Sequence, residues 1–254
     1  MDISWLGMGV ACLLLVAAVA VSWWQGLRLE RRLIVAGIRT FVQLLGVGLV
    51  IGWIINAEAL WPVALAVGVQ LVVAALASSS LLERPLRGVQ LLTLAALAPT
   101  YFAIMALLIL LVIQPGPWWE PRIVLTVGGM LLGNSLTAVM LAINRYRSGI
   151  SDNREIIFAK LALGARWHQA VEEQRQGAAS AAVLPIATAM LTAGLVSLPG
   201  MMTGQIIAGE DPLTAVKYQV VVMFMLAAAT SLATTIALYA LTRQARFERV
   251  EAES

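Results

Sequence analysis

Side chains able to hold a metal ion or attack a substrate are few in this chain, and they are scattered. His168 is the only histidine and Cys12 the only cysteine. A lone cysteine excludes an internal disulfide and any cluster built from cysteine alone. Imidazole and carboxylate oxygen are the usual ligands of first-row transition metals, and no two or three of them fall at metal-site spacing in any apolar stretch. Met130, Met140, Met190, Met201, Met202, Met223 and Met225 offer thioethers suited to soft ions, but methionine in an apolar helix ordinarily fills gaps. Metal ligands therefore stay unassigned. Ser135, Ser197 or Thr203 would need a base to act as a nucleophile, and His168 lies in a charged segment away from all three. No G-x-x-x-x-G-K-[ST] run occurs, so the chain has no P-loop to cradle ATP phosphates. These patterns leave little room for an enzyme and point to binding or passage.

The polar residues that stand out are those inside apolar segments. Arg39, Gln43, Gln70, Asn134 and Ser135 interrupt runs that otherwise suit hydrocarbon. A charge such as Arg39 costs at least about 2.5 kcal/mol at the centre of a membrane helix unless it snorkels, pairs or faces a cavity. Gln43 follows one turn later on the same face. Amides in such positions either glue helices together or line a pathway, and the residues alone leave both readings open. Glycines at G-x-x-x-G spacing, Gly48 with Gly52 and Gly129 with Gly133, are expected to let a neighbouring backbone approach closely.

The elements that must position these residues follow from composition. Apolar residues make up 60% of the 254 and charged ones 12%, and the net charge is only +3. That composition is one of a membrane protein with lipid as its surroundings, not of a nucleic-acid binder. Apolar runs of about 20 residues, the length that spans a roughly 30 Å hydrocarbon layer, occur near 5–24, 33–55, 60–77, 90–113, 122–143, 180–200 and 215–241. The expected fold is an all-α polytopic membrane protein with about seven transmembrane helices and a single membrane domain over 1–254. The first run lacks a basic leader and a cleavage site, and is expected to be a retained span.

Basic residues alternate between the connections. Arg28, Arg31 and Arg32, Arg84 and Arg87, the segment 144–179 and the tail with Arg243, Arg246 and Arg249 together hold fourteen of the 17 Lys and Arg. The positive-inside rule places those connections in the cytoplasm, with the N-terminus outside and the C-terminus inside. The run QPGPWWEPR, 114–122, fits an outer interfacial turn carrying Trp118 and Trp119.

Segment 144–179 is the only long connection and the only sizeable surface for a soluble partner. Asp152 followed by Glu155 suggests a capping-box start to the helix REIIFAKLALG, which Gly164 ends in a C-cap position. A second helix, ARWHQAVEEQRQGAASAAVLP, then leads into span six. An apolar helix in such a loop either docks in a partner's groove or lies on the bilayer surface.

The runs GMLLGNSLTAVMLAINR, KLALGARWHQA, VLPIATAM and GLVSLPGMMTGQIIAGEDPLTAVKYQVVVMFML together resemble the FetB family of ABC transporter permeases. That is the bacterial group linked to iron export, with plant relatives linked to aluminium tolerance. The resemblance covers essentially the whole chain. It implies a multi-pass permease of the inner (plasma) membrane, working as a homodimer with a separately encoded P-loop ATPase that uses ATP and Mg, and exporting iron or another metal ion. An ATP-independent carrier or channel, or a permease for a sugar nucleotide or amphipathic molecule, is the alternative. By the resemblance, 144–179 is the coupling loop, with Glu155, Phe158, Lys160, Leu161, Gly164 and Trp167 facing the ATPase. Its likeness to the EAA loop of import permeases is loose, with Phe158, Ala159 and Lys160 in place of that triplet.

Pro199 and Gly200 interrupt the apolar run after span six. A straight helix from Ser180 to Ala208 would be roughly 43 Å long, too long for the hydrocarbon layer without strong tilt. A break is therefore expected at Pro199-Gly200 near the outer boundary, followed by a short half-helix or re-entrant turn. Irregular backbone at that depth requires burial or contact with water. Pro199, Gly200, Met201, Met202, Thr203 and Gln205 join Arg39, Gln43, Gln70, Asn134 and Ser135 as candidates for a pathway or outer gate. Gly200 and Gly204 repeat the G-x-x-x-G spacing, and Glu210 with Asp211 form the nearby acidic pair.

Overall fold

The computed structural model describes residues 5–26, 29–83 and 85–244. Arg28, Arg84, Arg246 and Arg249, counted above among the basic connections, lie outside the described residues. Every regular element among the described residues is a helix, and the chain divides into two compact units, Met1–Ala59 and Leu60–Ser254.

The first unit is a helical hairpin of α1 (Trp5–Trp24) and α2 (Glu30–Asn56). Gly26 turns the chain at φ +65°. Ser22 pins the turn: its hydroxyl donates to Glu30 Oε1 at 3.2 Å and accepts from the Leu29 N–H at 3.2 Å. Both helices expose apolar side chains along their length, as expected of segments bathed in lipid.

The second unit holds α3 (Leu60–Leu81), α4 (Val89–Leu107), α5 (Pro121–Asp152), α6 (Arg154–Ala162), α7 (Trp167–Ala170), α8 (Glu172–Thr192), α9 (Gly200–Ile207) and α10 (Pro212–Gln244). A π-helical turn, Leu108–Ile113, closes α4, and Gln114 then leaves the helix at φ +48°. Helix α5 is the axis of this bundle, packing on α3, α4, α8 and α10. Leu97, Leu131, Val139, Ile143, Tyr146 and Leu238 are fully buried around it.

Three contacts set the registers of these helices. The Tyr101 hydroxyl of α4 donates to the Val124 carbonyl of α5 at 3.4 Å. The Thr242 hydroxyl of α10 bonds the Tyr146 hydroxyl at 3.1 Å. Beyond the far end of α3, the Glu83 N–H donates to Asn144 Oδ1 at 3.3 Å, which holds Glu83 against α5. At Gly128 the Tyr101 side chain of α4 lies against the α5 backbone, since a Cβ there would sit 2.5 Å from the Tyr101 hydroxyl. The glycines singled out by spacing behave differently: Gly133 has open space at that position, and Gly129 meets only Gln70 Nε2 at 3.7 Å. The close approach follows the face that α5 turns toward α4, which spacing alone does not reveal. Gly128→Ala is expected to destabilise the bundle by about 1–3 kcal/mol, the usual range for an overpacked core. Thermal unfolding checks this, with Tyr101→Phe in the same chain recovering part of the loss by removing the clashing oxygen.

Six helices are long and apolar enough to cross a membrane among the described residues. The expected seventh span, 180–200, is where the structure differs. Its helix, α8, begins earlier, at Glu172 in a charged turn, and ends at Thr192. Ala193 is extended, Gly194 takes φ +83°, and the Gly194 N–H donates to the Ser197 carbonyl at 2.9 Å. The break therefore falls seven residues before Pro199. The physical reason is that a left-handed glycine ends a helix readily, whereas Pro199, at φ −61° and ψ 142°, is the N-cap that starts α9. The short half-helix expected after the break is present as α9.

Helix α5 corrects a second expectation. It runs 32 residues, about 48 Å at 1.5 Å per residue, and so continues through Asp152 instead of stopping near 143. Asp152 is its last residue and caps nothing; the boundary with α6 is Asn153, whose side chain donates back to the Gly149 carbonyl at 2.9 Å.

Candidate functional site

The element after α5 is built from three short pieces of sequence. Helix α6 ends in a Schellman closure, the Gly164 N–H bonding the Leu161 carbonyl at 2.9 Å and the Ala165 N–H bonding the Lys160 carbonyl at 3.1 Å. Gly164 makes this possible at φ +93°, with open space where a Cβ would be. Gln169 then accepts from the Arg166 N–H at 2.9 Å and starts α7. Two ties return the element to the bundle. Lys160 Nζ pairs with Glu173 of α8 at 3.1 Å, and Ile157, Ala170 and Val171 are buried.

The start of α8 is held by charge as well as packing. Arg175 donates to both oxygens of Glu172, at 2.6 Å and 2.8 Å through one nitrogen. That hydrogen bonding holds the Glu172 carboxyl below the usual carboxylate range. Gln174 lies against α5 at Gly149, where a Cβ would be 3.3 Å from its Cγ. Helices α5, α6 and α8 are thus joined at one end of the unit by packing, an ion pair and backbone closure.

Of the residues read from sequence as facing a partner, Glu155, Phe158 and Gly164 are exposed, and Lys160, Leu161 and Trp167 half-buried. The Arg154 guanidinium lies 5.7 Å from the centre of the Phe158 ring. Sequence reasoning missed Ile156 and Leu163, which are 53% and 89% exposed. Ile157 faces inward instead, so α6 is apolar on two sides. The signal was present: adjacent isoleucines in a nine-residue helix cannot share one face.

The intramembrane polar residues divide between the units. Arg39 and Gln43 are exposed on α2 of the first unit. In the second, Gln70 of α3 reaches α5, donating to the Leu125 carbonyl at 3.4 Å. Asn134 and Ser135 are neighbours on different faces. Asn134 is exposed and donates to the Met130 carbonyl of its own helix at 2.8 Å, while Ser135 is fully buried. With Thr126, Gly133 and Thr137, Asn134 forms an exposed strip of small and polar residues along α5.

At the other end of the unit, Met201, Met202, Thr203 and Gln205 are half-buried on α9, which packs on α10. Gly200 and Gly204 have open space where a Cβ would be, so their spacing marks no close approach within the chain. Asp211 caps α10, accepting from the Thr214 N–H at 2.9 Å. Among the described residues no three His, Cys, Asp or Glu side chains come together.

The whole chain has relatives. The model of the UPF0014 uncharacterised protein family matches residues 5–246. A UPF0014 membrane protein of Synechocystis is 34% identical over 92% of this chain and 90% of its own length. The Arabidopsis thaliana protein ALUMINUM SENSITIVE 3 is 33% identical over 90% of this chain and 82% of its own. The probable iron export permease protein FetB of Escherichia coli is 32% identical over 91% of this chain and 88% of its own. No solved structure matches. A match across nearly every helix described above, with relatives called membrane proteins and permeases, means that this chain is a multi-pass membrane protein belonging to the UPF0014 family.

Proposed function

We propose that this protein is the permease subunit of an ABC-type exporter that moves iron or another metal ion out of the cytoplasm, driven by a separate ATPase chain. The observation that carries the reading is the α6–α7 element. It ends a helix that continues from the membrane bundle, is braced to α8 by the Lys160–Glu173 pair, and presents Ile156 and Leu163 on one outward face, with Phe158 exposed on another. An apolar, rigidly backed knob of this kind suits a groove on a soluble partner. The excess of basic residues in this loop supports a cytoplasmic position for it. The name of the Escherichia coli relative supports iron as cargo and export as direction. Two copies of the chain would enclose the pathway, with Gln70 and the Asn134 strip of the second unit contributing polar lining and the Pro199–Gln205 segment as its outer gate.

Whether a neighbouring gene encodes a P-loop ATPase, and whether that protein copurifies with this chain on coexpression, tests the assignment. The two chains are expected to copurify, and the reconstituted pair is expected to hydrolyse ATP faster in the presence of ferrous or ferric iron. ATPase stimulation by an organic solute and by no metal would move the cargo to the second class. Metal transport by this chain alone, indifferent to ATP, would make it a carrier.

A further inference from the structure

Hydroxyls inside membrane helices normally donate to a carbonyl one turn back in their own helix. Thr100, Thr230 and Thr242 do so, bonding Ala96, Leu226 and Leu238 at 2.7–2.8 Å. Thr93, Ser135 and Thr234 do not. Their side chains are 0%, 0% and 1% exposed, and their oxygens find no hydrogen-bond partner among the described residues.

These three come from different helices, α4, α5 and α10, which pack on one another. The register contacts place them at one level. Thr93 lies eight residues from Tyr101, and Ser135 seven from Gly128, both toward the α6 end of the unit. Ser135 is also eleven residues before Tyr146, and Thr234 eight before Thr242, on the other side of that contact. At 1.5 Å per residue, with the tyrosine side chains reaching toward their own N-termini, all three fall within about one helical turn of the same depth. Seven and eleven residues are close to two and three whole turns. Ser135 therefore shares the face by which α5 meets both α4 and α10.

We infer that Thr93, Ser135 and Thr234 form an internal hydration site in which bound water bridges α4, α5 and α10. Three hydroxyls, each able to donate and accept, match the roughly three hydrogen bonds a buried water makes. Charge chemistry narrows the ligand. Residues 89–107, 123–144 and 218–242 hold no Asp, Glu, Lys or Arg, so nothing at this depth compensates an ion. The ligand is neutral.

Valine is the shape of threonine and alanine nearly that of serine, so Thr93→Val, Ser135→Ala and Thr234→Val remove oxygen and little volume. In detergent, each is expected to lower Tm by about 2–4 °C. The pair Thr93→Val/Thr234→Val should lose less than the sum, because the first change already releases the water. Unchanged or raised Tm values would mean a dry layer relieved by a methyl group, and would overturn the site. In situ radiolytic labelling gives a second readout that does not depend on variant stability. Water held in the site should oxidise the fully buried Leu131 and Leu238 of the wild-type protein, each one turn from a bridging hydroxyl. The triple variant, if it folds, should be protected. Wild-type protein unlabelled at both leucines would refute the inference, as it would if the hydroxyls turned to carbonyls of their own helices.

Discussion

Gly164→Pro is expected to lower the proposed ATP-coupled export at least tenfold while the membrane bundle stays folded. Gly164 sits at φ +93°, and its N–H closes α6 onto Leu161. Proline fixes φ near −65° and has no N–H. Both the direction of the chain into α7 and one closing bond are lost together. Gly164 is exposed with open space around its Cα, so the change adds no clash within the bundle. Gly164→Ala separates the two effects. It keeps the N–H and carries only the left-handed penalty, about 1–2 kcal/mol, so its loss should be smaller. Export from cells, ATPase copurification and thermal unfolding of the isolated chain together check the result. Full export by the proline variant would show that α6 and α7 need no fixed geometry to act.

Leu163→Glu is expected to weaken binding of the proposed ATPase partner roughly 30-fold, the equivalent of about 2 kcal/mol at an interface hot spot. Leu163 is 89% exposed, beside the turn at Gly164 and on the element that carries Phe158 and Ile156 outward. Burying its side chain in a groove removes apolar surface from water, and a carboxylate there would have to be desolvated without a partner. The isolated permease should unfold at an unchanged temperature, because Leu163 supports nothing within the chain. Ile157→Glu makes the contrasting control, since Ile157 is 3% exposed and should destabilise the fold itself. If α6 instead rests on the bilayer, Leu163→Glu will leave copurification intact and will release the element from lipid, which a fluorescent label at Gln169 would report as increased solvent exposure.

Much of the architecture was legible because it is written in local chemistry. Apolar runs near 20 residues required membrane helices, and six of the seven form helices long and apolar enough to cross, while the run at 180–200 is interrupted after Thr192. The C-terminal stop of α6 was legible from one glycine, because few other residues tolerate its backbone conformation. The short helix after the Pro199-Gly200 pair was also legible, although the pair begins α9 and does not end α8. A proline restricts the residue before it and presets its own φ, so the same dipeptide serves a start as well as a stop. The competing signal at Gly194 was missed because its turn depends on a bond to Ser197 that only the folded loop makes.

What the sequence by itself determined was membrane residence, an all-helical chain, and which short-range turns could form. These rest on transfer of side chains into hydrocarbon and on backbone preferences, which each segment carries alone. Only the tertiary structure decided which face of each helix is inside. Asn134 and Ser135 are adjacent, yet one is exposed and the other buried; Gly128 and Gly129 are adjacent, yet only one meets Tyr101. In α5 the polar residues Thr126, Asn134 and Thr137 lie on the exposed side while Ser135 is buried, so polarity alone gives no single inward face. Rotation and register are set there by packing against α3, α4, α8 and α10, and packing is a property of all the helices at once.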